Sequence, residues 1–188
     1  MIKLLALAVS LTLSAPAASL SGPAQPPEEV LKAKLFVSRT LVVPGETLKI
    51  AVQAALTKPW HVHADKVGDE FLIPTSLAVE PQEGIEVVEI VYPKARSGKF
   101  DYSETAIDVF DGEFLVGALV RFPAGPAPGP RKLKVKFRYQ ACDDRGCLPP
   151  KTIELPLEIE VIIPGAAATA AEEAQSEVFK KIAFTKLK

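Results

Sequence analysis

A chain of 188 residues, 48% of them hydrophobic, is long enough for one domain with a real apolar core and tails. Its formal net charge is -1 and both signs are interspersed, which excludes the basic patch or stripe that nucleic-acid binding needs. Only two cysteines are present, so neither a disulfide-dense scaffold nor a cysteine-rich zinc module is encoded.

The first element lies outside any fold. Lys3 gives a cationic start, residues 4–13 form a mainly apolar run, and Ala15-Pro16-Ala17 offers a small-x-small cleavage site. That pattern predicts a secretory signal peptide over residues 1–18, because spanning a bilayer takes about 20 apolar residues. No cysteine follows the apolar run to carry a lipid anchor. Export implies a periplasmic location in which two cysteines can hold a lasting disulfide. Residues 19–29, rich in Pro, Ser, Gly and Ala, read as a flexible leader.

From 30 to 163 the chain predicts short strands separated by turn residues. Segments 34–38, 47–56, 75–80, 85–91, 106–122, 131–140 and 152–163 are β-branched or alternate apolar with polar residues. In the sixth, Leu133, Val135, Phe137 and Tyr139 fall on one face and Lys134, Lys136 and Arg138 on the other. Turn signals stand between the runs at Pro44-Gly45, Glu83-Gly84, Asp111-Gly112 and 123–130. No long helical pattern intervenes, so the expected fold class is all-β, an immunoglobulin-like antiparallel β-sandwich. Residues 164–188 predict a small-residue linker and a short amphipathic helix with Val178, Phe179, Ile182 and Phe184 on one face. Docking of that face on the domain is the expected use; a membrane surface or a partner are the alternatives.

The chemistry concentrates in Tyr139-Gln140-Ala141-Cys142-Asp143-Asp144-Arg145-Gly146-Cys147-Leu148-Pro149-Pro150, between two well-patterned strands. The cysteines flank a hairpin tip, where Gly146 permits the positive φ such turns often use and the prolines interrupt strand pairing. A ring of about six residues stabilises by only about 2 kcal/mol on the loop-entropy model, against about 4.7 for a hundred-residue ring. A small exposed disulfide of this kind is poorly suited as a staple and well placed for exchange with an incoming thiolate. Spacing alone leaves both uses open.

The hairpin, with Cys147-Leu148-Pro149-Pro150-Lys151, resembles the active-site hairpin of the DsbD N-terminal periplasmic domain family. Lys58-Pro59-Trp60-His61-Val62-His63 and Leu72-Ile73-Pro74-Thr75-Ser76-Leu77 support the resemblance, which covers residues 34–163. It implies an immunoglobulin-like domain without a bound cofactor that acts as a protein thiol–disulfide oxidoreductase. Electrons would come from a thioredoxin-like donor and pass to periplasmic disulfide isomerases or cytochrome c maturation proteins. The resemblance implies Cys147 as exchange sulfur and Cys142 as its resolving partner. It also implies a cap loop over 97–104, with Phe100 or Tyr102 as shield and Asp101 or Glu104 as acid. Such proteins usually continue into a membrane domain and a thioredoxin-like domain, and this chain ends at Lys188 without either, which leaves a stand-alone protein or a fragment.

His61 and His63, two apart on a strand, share a face and can both approach the cysteines, where an imidazolium would favour the thiolate. The same four residues offer zinc or copper ligands, although the cysteines lack the two-residue spacing of zinc knuckles, and no metal is expected. Two rival readings therefore stand beside the relay: a secreted binding module with an inert disulfide, and a metal carrier.

Overall fold

The computed structural model describes residues 29–80, 85–122, 127–163 and 176–186. The expected signal peptide and nearly all of the leader lie outside them, as does most of the linker after the last strand.

The described residues form twelve strands: β1 (Leu31–Val37), β2 (Leu41–Val42), β3 (Thr47–Leu56), β4 (His61–His63), β5 (Ser76–Val79), β6 (Glu86–Val91), β7 (Arg96–Gly98), β8 (Ile107–Asp111), β9 (Glu113–Arg121), β10 (Gly129–Tyr139), β11 (Ala141–Cys142) and β12 (Lys151–Val161). One short helix, α1 (Ser176–Lys180), follows. The strands make a β1-β3-β9-β6 sheet, a β2-β12-β10-β5 sheet and a smaller β11-β4-β8-β7 sheet. Every pairing is antiparallel except the two-residue contact of β2 with β12.

Alternation decides which face is buried. Leu48, Ile50, Val52 and Ala54 of β3 meet Leu133, Val135 and Phe137 of β10 and Leu157, Ile159 and Val161 of β12 in one apolar core. The outward lysines of β10 face acids across the β12 register, Lys132 with Glu158 at 3.2 Å and Lys136 with Glu154 at 3.8 Å. These exposed pairs contribute little stability.

Segment 106–122 is two strands rather than one. At Gly112 the backbone takes φ 61°, a left-handed conformation that glycine adopts without steric cost, and the chain passes from the small sheet into the large one. The apolar pattern continues across the corner, because Phe110 and Phe114 both reach the core.

The expected helix is short, and its apolar face is taken up by the domain. Phe179 and Ile182 are buried on the outer face of the large sheet against Ala51, with Phe36, Val91, Leu115, Val178 and Phe184 around them. The Glu89 carboxylate then accepts hydrogen bonds from the Thr185 and Lys186 amides, each at 3.0 Å. Gly117 is the seat of this strap: a Cβ there would lie 2.7 Å from Ile182 and 2.8 Å from Phe184. Gly117→Val is expected to lift the strap at a cost of about 1–3 kcal/mol while the sandwich persists. Hydrogen exchange checks this. The Thr185 and Lys186 amides should lose protection and those of β3 and β9 should keep it.

Candidate functional site

The small sheet positions the site. β4 lies between β11 and β8, so all three of its residues are buried. Val62 and its register partners Ala141 and Phe110 point into the main core. His61 and His63 therefore occupy the opposite face, and Cys142, directly across from His61, shares it.

The hairpin tip continues the β10–β12 ladder one residue out of step. Tyr139 pairs with Lys151, whereas Cys142 bridges Cys147, so Gln140 and Ala141 face three residues, Leu148, Pro149 and Pro150, and the extra one lies on the returning side. The Gln140 side-chain amide donates to the Leu148 carbonyl at 3.0 Å, and the Leu148 amide donates to the Ala141 carbonyl at 2.8 Å. The turn itself closes through Asp143, whose carboxylate accepts from the Arg145 and Gly146 amides at 2.9 and 3.0 Å. These bonds hold the Asp143 carboxyl below the usual carboxylate range. Gly146 does not supply the positive φ expected of it, since the Asp143 side chain does the work of closing the turn.

Cys142 and Cys147 are joined in a disulfide, S–S 2.07 Å and Cα–Cα 4.0 Å. The two sulfurs are unequal in access: Cys142 is 0% exposed, and Cys147 is exposed.

Segment 99–106 folds over this face. Phe100 is buried and stacks on His61, with ring centroids 4.0 Å apart and planes 21° from parallel. Tyr102 stacks beside Phe100 at 5.5 Å, and its hydroxyl shares a 2.7 Å hydrogen bond with His61 Nε2. The Asp101 amide donates to the Asp144 carbonyl at 3.0 Å, which ties the loop to the hairpin tip. Phe100, Ile107 and Val109, with Leu72 and Tyr102, form an apolar cluster separate from the main core. Asp101 and Glu104 are exposed, and neither carboxylate makes a hydrogen bond or ion pair among the described residues.

His63 is held from a segment the sequence did not single out for contact. Its Nδ1 lies 3.0 Å from the Ile73 carbonyl, and the Thr75 hydroxyl donates to the His63 carbonyl at 2.6 Å. Its other nitrogen, Nε2, stands 3.5 Å from Cys142 Sγ.

Neither imidazole is a standing cation. Burial, then repulsion between the two rings and from Arg96, lowers His61 to about 4, and burial lowers His63. Tyr102 is raised to about 12, first by burial and then by Asp144 and Asp143, so its hydroxyl keeps its proton. The rings beside the cysteine pair are thus neutral, and an imidazolium there is disfavoured. Stability follows from the sign: unfolded His61 takes a proton near 6.5, whereas the folded ring resists until about 4. Its contribution is complete above 6.5 and is lost as pH falls towards about 4. Denaturant unfolding across that window should show falling stability, and His61→Phe, which keeps a ring against Phe100, should flatten the fall.

The side-chain donors of His63, Cys142 and Cys147 lie within 4.8 Å of one another, the one such group found among the described residues. With both sulfurs joined to each other, the pair as it stands offers no thiolate to a metal. His61 is engaged by Tyr102 instead.

A sandwich with a one-sidedly accessible disulfide at a hairpin tip, beside an aromatic loop stacked on His61, defines a small domain built around a cysteine pair. The sequence matches the family model of the N-terminal domain of the thiol:disulfide interchange protein DsbD over residues 27–158, and the chain belongs to that family. The N-terminal periplasmic domain of ScsB from Proteus mirabilis is similar in fold, with TM-score 0.54 and 11% identity over 84% of this chain and 54% of that one. The reduced N-terminal domain of DsbD from Neisseria meningitidis aligns with TM-score 0.46 and 15% identity over 73% of this chain and 95% of that one. None of the curated proteins matches the sequence. The fold is accordingly the immunoglobulin-like antiparallel sandwich of this family. No helix among the described residues is long and apolar enough to cross a membrane.

Proposed function

We propose that this chain is a periplasmic electron relay that cycles between disulfide and dithiol by exchange with other proteins. Family membership and the Cys142–Cys147 disulfide support a thiol–disulfide exchange module. The observation that carries the finer reading is the asymmetry of access, an exposed Cys147 covalently joined to a wholly buried Cys142.

A thiolate of a thioredoxin-like donor attacks Cys147 Sγ, the Cys142–Cys147 bond breaks, and Cys142 leaves with the electron pair. The donor's second thiol then attacks the mixed disulfide, so that two electrons and two protons have reached the domain. In the forward half, Cys147 attacks the disulfide of a periplasmic isomerase or cytochrome c maturation protein, and Cys142 resolves the product. Phe100 and Tyr102 shield the pair between encounters, and the exposed Asp101 and Glu104 face the arriving protein. The Asp101 amide bond to the Asp144 carbonyl ties the cap to the tip, and its release widens the approach to the already exposed Cys147.

Mixing the oxidised chain with a reduced thioredoxin-like domain tests this. Two free thiols per chain should appear as the donor becomes oxidised. A chain that keeps its disulfide while the donor stays reduced would behave as a binding module with an inert bond.

A further inference from the structure

We propose that His63 is the proton acceptor for the Cys142 thiol whenever the disulfide is open, and thereby turns a buried sulfur into the resolving nucleophile; this role rests on the exchange reading. Burial alone disfavours a thiolate, so a wholly buried Cys142 needs a local base to attack at neutral pH. The geometry provides one. A carbonyl can only accept, so the neutral ring keeps its proton on Nδ1, pointed at Ile73. Nε2 is then an unprotonated acceptor, and it faces Cys142 Sγ at 3.5 Å. In the disulfide no hydrogen lies between them. Reduction places a thiol proton there, opposite a vacant lone pair.

The step balances. In the mixed disulfide Cys142 S–H gives its proton to His63 Nε2 and its electron pair to Cys147 Sγ. The bond from Cys147 to the partner sulfur breaks, the partner leaves as thiolate with two electrons, and the imidazolium passes its proton to solvent. In reverse, His63 returns a proton to Cys142 as it leaves Cys147. The site keeps the ring neutral and ready to accept. The groups facing it are Cys142 on β11, Tyr102 from the cap at 6.2 Å between ring centroids, His61 on its own strand, Val109 opposite on β8, and the Ile73 carbonyl. Arg96, Asp111 and Asp144 act on His61, whereas burial and the Ile73 bond set the proton affinity of His63.

The test uses the reduced chain and the aromatic disulfide dithionitrobenzoate, which needs no partner protein. Attack by Cys147 releases one thionitrobenzoate at a rate set by reagent concentration; attack by Cys142 releases the second at a concentration-independent rate. His63→Asn keeps an amide donor for the Ile73 carbonyl but removes the base, and His63→Gln puts a non-basic amide near the sulfur. In both, the second phase at neutral pH should slow roughly tenfold or more, with the first little changed. The second phase should then rise with pH as an ordinary thiol near 8.5 ionises, whereas the native chain levels off earlier. An Asn variant that matches the native rate and pH profile would reduce His63 to a structural prop and overturn the proposal. Thiolate absorbance of a Cys147→Ala chain decides independently of any His63 variant: Cys142 should ionise below about 8.5, and ionisation above it would contradict the base. Failure of exchange with a thioredoxin-like donor would sink the relay and leave these two readouts standing, so the two failures are distinguishable.

Discussion

Cys142→Ser is expected to convert the domain into a trap that keeps its partner covalently attached through Cys147, whereas Cys147→Ser captures nothing. The asymmetry follows from burial. With Cys142 removed, the exposed Cys147 still attacks a disulfide, but no second sulfur remains to release the product. With Cys147 removed, the remaining thiol is 0% exposed. Turnover should be abolished in both variants, so the adduct is what separates them. Loss of the small ring costs only about 2 kcal/mol, and a serine hydroxyl at position 142 can donate to His63 Nε2, so both chains should fold. Non-reducing electrophoresis and mass spectrometry of the adduct read the result. A stable adduct on Cys142 in the Cys147→Ser chain would reverse the assignment of roles.

If the cap limits access to the cysteine pair as proposed, removing the Phe100 ring should speed attack on the disulfide. Phe100→Ala removes the ring stacked on His61 and leaves Tyr102 without its neighbour. A stacked aromatic pair contributes about 0.5–1.5 kcal/mol beyond its burial, and about 1.4 kcal/mol is tenfold in a population. The open cap should therefore become roughly tenfold more populated, and reduction by glutathione should accelerate by a similar factor. Because Phe100 belongs to a cluster apart from the main core, the sandwich should remain folded. Gly98→Ala should act in the same direction, since its Cβ would lie 2.8 Å from the Phe100 ring. An unchanged reduction rate in both variants would mean that the cap does not govern access.

The main sandwich was legible because its segments alternate strictly. Leu133, Val135, Phe137 and Tyr139 face the core as their spacing implies, and Thr47–Leu56 runs over its expected span. The amphipathic spacing of Phe179 and Ile182 likewise told of a face to be covered, and the cover is the outer side of the large sheet. Shorter pieces carried too little pattern: Leu41–Val42 and Arg96–Gly98 are strands only because a neighbour pairs with them. At the hairpin, composition suggested a glycine-driven turn, but the Asp143 carboxylate closes it, a choice made by hydrogen bonds that spacing does not encode.

At the site, the cysteine pair and the shared face of His61 and His63 followed from spacing, but the charge of the rings did not. Ionisation depends on how deeply the cap and the small sheet enclose them, which is a tertiary property. The Ile73 carbonyl was invisible for a related reason. A backbone acceptor has no residue type to announce it, and only the fold brings it to His63 Nδ1. The Asp101 and Glu104 carboxylates stand exposed on the cap, and what the cap brings to the cysteine face is its rings.

The redox equilibrium of the pair tests the central claim most directly. The chain is held in glutathione buffers of graded ratio, thiols are trapped at each, and the fraction reduced is read by mass. A relay should be half reduced at a potential above roughly -300 mV, within reach of thioredoxin-like donors. A Cys142–Cys147 bond still closed well below that value would be structural, and the account given for it would be wrong.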